Sequence, residues 1–176
     1  MPHKKIWIQA GYDLFAQAGR AGLKVEALAK RVGISKSSFY HHFADLELFM
    51  EQLLSHHLQQ AAVMAEKERQ SRHIDPDLIS VLLEHQTDLL FSRQLRVHRQ
   101  HKAFQETLTK SDLIVAHSFV PVWVRELNLK LTQQQLEGIF SLALENFFLQ
   151  ITPDNLNYDW LSGYFAQLKR IAGSFS

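Results

Sequence analysis

Apolar residues recur along this chain every three to four positions, the spacing of helices that each bury one stripe. Trp7, Gly11, Leu14, Phe15 and Ala18 form the first stripe, and Gly19 is placed to end it. Val25, Leu28, Ala29 and Val32 predict a short second helix. Gly33 then permits the left-handed backbone of a tight turn, and Ser35 stands where it can N-cap the next helix. That third segment, Ser35 to Phe43, is apolar only at Phe39 and Phe43, so its other face has work outside the core. Asp45 is positioned to cap a long helix with Leu46, Phe49, Met50, Leu53, Leu54, His57, Leu58, Ala61 and Ala65 on one side, ending near Gln70.

Asp75-Pro76 reads as an N-cap with proline at the first helical position, opening a helix that carries Leu78, Ile79, Leu82, Leu83, Leu89 and Leu90. Leu95 to Leu108 and Asp112 to Leu127 read as two more, the second kinked or restarted at Pro121, which lacks a backbone N–H. Thr132 and Gln135 form a capping box for a helix of Leu136, Ile139, Phe140, Ala143, Phe147 and Ile151. A last helix follows Pro153, with Trp160, Leu161, Tyr164, Phe165, Leu168 and Ile171. The expected class is all-α, with about nine helices.

Composition agrees. Leu supplies 26 residues and Ala and Gln 15 each, against 23 for Val, Ile and Thr together. A chain of 176 residues makes one domain or two small ones and can bury a core without staples. It has no Cys, which excludes disulfides, thiolate metal sites and Cys nucleophiles. The basic start lacks the apolar core of a signal peptide, and no run approaches the roughly 18 apolar residues of a membrane span. A cytoplasmic protein is expected, with no membrane partner. The formal net charge of +1 argues, at first sight, against a nucleic-acid partner.

The stretch after Val25 reverses that inference. With Val25 as the first position of a helix-turn-helix, Leu28, Ala29, Val32, Gly33, Ile34 and Phe39 supply apolar contact, a small residue, contact, a turn glycine and two further contacts where the motif needs them. Ala29 is small because the two helices cross closely there, and Gly33 turns the chain so that the second helix can enter a major groove.

Through these residues the chain resembles the TetR/AcrR-type transcriptional regulators, one-component dimeric repressors with an all-helical fold. The resemblance covers residues 6 to about 54. It rests on Ala10, Leu14-Phe15, Gly19, Leu28-Ala29, Val32-Gly33-Ile34-Ser35 and the run Ser38-Phe39-Tyr40-His41-His42-Phe43. Residues 55–176 match only in helical character. The resemblance implies a DNA-binding domain over 1–45 and a helical effector-binding and dimerisation domain over 46–176. Two positions depart from the pattern. Lys24 stands where the family has a capping Thr or Ser, and Leu46 where it commonly has Lys. Lys24 can substitute as a cation and Leu46 cannot, so one phosphate contact is expected to be missing.

In this motif the start of the recognition helix faces base edges, so Lys36 is a candidate for donating to guanine O6 and N7 and Ser37 for pairing with several bases, with Ser35 beside them among the DNA-binding candidates. The family pattern places Ser38, Tyr40 and His42 against phosphates, with Lys24 and His41 as neighbours, contacts that position rather than specify. The expected partner is double-stranded DNA carrying a palindromic operator. A second copy of the chain is expected to pair through the last two helices, whose apolar faces are broadened by Leu142, Leu144, Phe148 and Leu149.

The middle helices are expected to enclose an unidentified small-molecule effector. His85, Gln86, Asp88, His117 and Asn146 are the polar anchors, and Phe91, Phe104, Phe119 and Trp123 the aromatic walls. No cofactor is implied. Ten His without Cys raise a second reading, a metal-sensing regulator using His98 and His101 with His85, His117 or Glu106, but the cations around Arg96 and Arg99 disfavour a divalent ion. A third is a helical interaction module that has lost DNA binding, for which Leu46 speaks. Neither phosphate-loop nor hydrolase motifs occur, so no enzyme is expected. Residues 1–43 hold seven basic and two acidic side chains, a charge of +5, and residues 44–176 carry −4. The small total is thus the sum of a basic head and an acidic body.

Overall fold

The computed structural model describes residues 2–127 and 131–173. Among these residues there are nine α-helices and no strand. They are α1 (Pro2–Gly22), α2 (Val25–Val32), α3 (Lys36–His42), α4 (Leu46–Gln70), α5 (Ile79–Glu84), α6 (Gln86–Val97), α7 (Lys102–Leu127), α8 (Gln133–Gln150) and α9 (Tyr158–Gly173). The chain divides into two compact units, Met1–Gln60 with Thr87–Lys110, and Ala61–Gln86 with Ser111–Ser176. This division does not follow the 45/46 boundary expected from the motif.

The first unit is built around aromatic rings. Trp7 of α1 meets Phe39 of α3 edge-on at 5.5 Å, and Phe39 and Phe43 both pack on Phe49 of α4. Phe15 joins Phe91 of α6 and Phe104 at the start of α7. Gly11 is required by this packing, because a Cβ there would overlap the Phe49 ring. The helical backbone of α1 breaks at Gly19 (φ 63°), as its position predicts, and one further turn reaches Gly22.

The second unit gathers Phe119 and Trp123 of α7 around Phe140 of α8, with Phe119 also facing Phe165 of α9. Phe147 of α8 packs against Trp160 and Tyr164. The Thr132–Gln135 capping box forms, with the Gln135 N–H on the Thr132 hydroxyl and the Thr132 N–H on the Gln135 side chain. Asn157 caps α9 through the Trp160 N–H, and Asp45 caps α4 through the Leu48 N–H.

Three expected elements differ. The helix predicted from Pro76 to Leu90 is two: a single wide π-type turn at Ile74–Leu78 leads into α5, and His85 (φ −104°, ψ 27°) separates α5 from α6. Asp75 has the extended backbone of a cap, but its carboxylate accepts from the Tyr158 and Ser162 hydroxyls of α9 instead of from its own helix. The Leu95–Leu108 segment is interrupted after Val97, and its second half runs on as α7 through Pro121. Pro121 is exposed, so water reaches the carbonyl one turn back that a proline nitrogen cannot serve.

Candidate nucleic-acid interface

The geometry of α2 and α3 follows from a few residues. Gly33 sits in the left-handed region (φ 73°, ψ 24°), and its N–H and that of Ile34 both reach the Ala29 carbonyl, closing α2 and turning the chain within three residues. Phe39 is fully buried against Trp7 and Phe49, which fixes the roll of α3 about its axis and leaves the opposite side outward. Ser35, Lys36, Ser37 and His41 are exposed and Ser38 and His42 half-buried. Tyr40 is 56% exposed with its ring edge against Phe39. Ser35 has the extended backbone of an N-cap, but its hydroxyl makes no cap bond; the Ser38 N–H goes to the Ser35 carbonyl instead.

The eight candidate residues therefore fall in one short stretch of the first unit. Lys24 is the exposed N-cap residue of α2 and the other seven lie on or just before α3. One partner was not anticipated. The Lys36 ammonium lies 2.9 Å from the carboxylate of Glu26 on α2. Their hydrogen bond raises the Lys36 pKa and lowers that of Glu26, with Lys24 adding a smaller pull on the carboxylate. Glu26 was legible only as one of two acids in a basic head. Lys24 and Lys30 are exposed cations without a salt bridge among the described residues, whereas Arg20 pairs with Glu47 and Arg31 with Asp13. Leu46, the second departure from the family pattern, packs half-buried against the core of the first unit.

The candidate effector residues are divided between the two units. Asp88, Phe91 and Phe104 belong to the first unit. Phe91 stacks on Tyr12 at 4.3 Å and on His57 at 4.8 Å, Phe104 faces Phe15, and the Asp88 carboxylate accepts the Tyr12 hydroxyl at 2.7 Å. His85, His117, Phe119, Trp123 and Asn146 belong to the second unit. There, the buried His85 accepts the Lys67 ammonium at Nε2, and the Gln86 amide donates to the Leu156 carbonyl. His117 is exposed, with its ring on the Leu113 carbonyl, and Asn146, also exposed, accepts from Gln150 and Tyr164. Among the described residues, no group of three or more His, Asp or Glu side chains is placed to hold a metal ion. No described helix is long and apolar enough to cross a membrane.

Two buried polar groupings escaped the sequence reading. In the first unit, Ser92, His57, Tyr12 and Asp88 form a hydrogen-bonded chain across α6, α4 and α1. Since the Tyr12 hydroxyl donates to Asp88, its oxygen accepts from His57 Nδ1–H, and the remaining ring nitrogen accepts from Ser92. Burial holds His57 neutral, with its pKa lowered to about 4, and raises that of Tyr12 well above the ordinary range. In the second unit, Glu68 of α4 is fully buried beside Ser118 of α7, and burial lifts its pKa to about 7. Glu68 continues the α4 stripe three residues after Ala65, a signal that could have been read.

Comparison with known proteins agrees with this geometry. Residues 8–52 match the model of bacterial regulatory proteins of the tetR family. No curated protein matches the chain. Among solved structures, a provisionally named TetR-family transcriptional regulator from Rhodococcus sp. superposes with a TM-score of 0.57 at 18% identity, over 94% of this chain and 98% of that one. That likeness extends the all-helical fold to both units. The helix-turn-helix is built on the residues that the family model matches, so this part of the chain is similar to the DNA-binding segment of the tetR-family regulators.

Proposed function

We propose that the chain is a cytoplasmic repressor that binds a palindromic operator as a homodimer and leaves it when a small-molecule effector binds. The observation that carries the reading is α3 itself. A seven-residue helix with one residue, Phe39, fully buried presents Lys36, Ser37, Tyr40 and His41 outward on a rigid base. A helix too polar to be core and too well anchored to be a loose loop is suited to a groove. Lys36 reads bases after exchanging Glu26 for guanine, and Lys24, Ser38, Tyr40 and His42 hold the backbone. Leu46 packs against the core of the first unit, and the phosphate contact that the family commonly makes there is missing from this reading.

Dimerisation is supported by α8, where Leu142 is 74% and Leu149 76% exposed, on the side of the helix opposite buried Phe140 and Phe147. A helix apolar on both sides serves a core with one face and a partner with the other. The effector acts by population shift. It binds better to the dimer whose two recognition helices are wrongly spaced for DNA, and it releases DNA only to the extent of that preference.

Band shifts with pooled genomic fragments at two salt concentrations, followed by footprinting of the retained fragment, test the reading. Binding should weaken steeply with salt and protect two half-sites about 34–36 Å apart or a multiple of that. Protection of one asymmetric half-site would count against the dimer. Absence of binding at low salt would favour a helical interaction module.

A further inference from the structure

Buried polar atoms in a helical interior nearly always have partners, because each was stripped of water to get there. Among the described residues of the second unit, two do not. Glu68 has zero exposure and sits on α4 below Ala61, Met64 and Ala65, all buried. Its Oε2 lies 2.5 Å from the Ser118 hydroxyl, but its Oε1 has no hydrogen-bond partner. The Trp123 indole N–H, 3% exposed among Phe119 and Phe140, is also unpartnered.

Neighbouring cations do not serve the carboxylate. Lys67 is engaged by Glu84 and by His85, and Arg69 by Glu66. His85 and Arg69 exert only a weak pull on Glu68, which burial outweighs. Ser118 lies equally within reach of the Val115 carbonyl at 2.9 Å, and its one proton serves one acceptor at a time. While Glu68 is neutral, it can donate to Ser118, which passes its own proton to Val115.

We propose that Glu68 anchors a ligand inside the second unit and that the ligand is an organic molecule bearing a protonated amine. A carboxylate in a dry interior gains most from a charged N–H donor, and none of the described residues supplies one there. Phe119, next to Ser118 on α7, packs with Phe140 and Trp123 in the same unit and supplies apolar surface for such a ligand. This assignment rests on the effector reading and names the chemistry of its ligand. Binding moves a proton. The ammonium keeps its own, and neutral Glu68 releases one as it becomes the carboxylate.

The test uses the full chain with benzylamine and hexylamine as probes, and benzyl alcohol and hexanoate as neutral and anionic controls, at millimolar concentration. Titration calorimetry in buffers of different ionisation enthalpy should show amine binding with release of about one proton at pH 6 and an affinity about tenfold weaker there than at pH 8. The controls should not bind. Glu68→Gln, which imitates the neutral carboxyl, should melt cooperatively, lose roughly tenfold to hundredfold in amine affinity and abolish the proton release. Ser118→Ala keeps the carboxylate, so it should keep the selectivity and shift the pH midpoint upward. Equal amine binding by wild type and Glu68→Gln, or binding of neither amine, overturns the proposal. Operator release is scored separately. Amines that bind through Glu68 but leave the DNA complex intact uphold the site and remove the effector reading; failure of the site leaves that reading open to other ligands.

Discussion

Two buried groups give the stability of this protein opposite responses to acid, and removing one of them should expose the other. His57 is held neutral in the folded state down to about pH 4, against an ordinary value of 6.5. The unfolded chain therefore binds the extra proton, and stability is lost as pH falls through the window from 6.5 to 4. Glu68 is held neutral up to about pH 7, against an ordinary 4.5. Here the folded state binds the extra proton, so stability is gained as pH falls from 7 to 4.5. Between pH 7 and pH 5 the two terms come to about 2 kcal/mol each, with opposite signs, and nearly cancel. Glu68→Gln removes only the gain. Its stability relative to wild type should fall by about 2 kcal/mol on going from pH 7 to pH 5, while His57→Gln should rise by a similar amount. Urea unfolding of all three proteins at both pH values measures this. Using differences between proteins removes the background of surface carboxylates common to all. Parallel profiles for wild type and both variants would refute the reasoning.

Other substitutions separate the remaining roles. Tyr12→Phe keeps the ring on Phe91 but breaks the hydrogen-bond chain between His57 and Asp88, and should cost roughly 1–3 kcal/mol in urea unfolding. Gly11→Ala should cost a similar amount, roughly 1–3 kcal/mol, because its Cβ displaces the Phe49 ring. Lys36→Ala should weaken operator binding by roughly 1–3 kcal/mol and relax one base position, whereas Tyr40→Phe should weaken all duplexes alike; equal losses on operator and random duplex for Lys36→Ala would deny it a base-reading role. Leu142→Asp with Leu149→Asp should leave far-ultraviolet dichroism unchanged and halve the mass in sedimentation; an unchanged mass would place the dimer elsewhere.

The helix-turn-helix was legible because its determinants are local. A glycine that takes positive φ, a small residue at the crossing and one buried aromatic specify α2 and α3 within fifteen residues. The same holds for the Thr132 capping box. What was not legible depends on distant partners. Asp75 looks like a cap in its own segment but answers to Tyr158 and Ser162, 83 and 87 residues on. Phe91 and Phe104 look like walls of a pocket in the middle helices, yet Tyr12 and Phe15 of the first helix claim them. Pro121 predicts a break, and the helix continues because only one hydrogen bond is lost on an exposed side.

The charge of the molecule shows how packing revises a sum made along the sequence. By segment, the basic excess of +5 belongs to residues 1–43. By unit, Asp45, Glu47 and Glu51 join that head and reduce it, and the loss is restored by Arg93, Arg96, Arg99, Lys102 and Lys110, which belong to the same unit. The first unit then holds twelve basic and seven acidic residues, again +5, and the second −4. These cations of α6, α7 and the residues between them, which on sequence grounds only disfavoured a metal ion, keep the first unit basic. Within a screening length of roughly 8–10 Å it is such local excess, and not the net +1, that a polyanion would meet. Individual pairs such as Lys36 with Glu26 matter only at contact, where the proposed exchange of that carboxylate for a guanine edge would convert attraction to any duplex into preference for one.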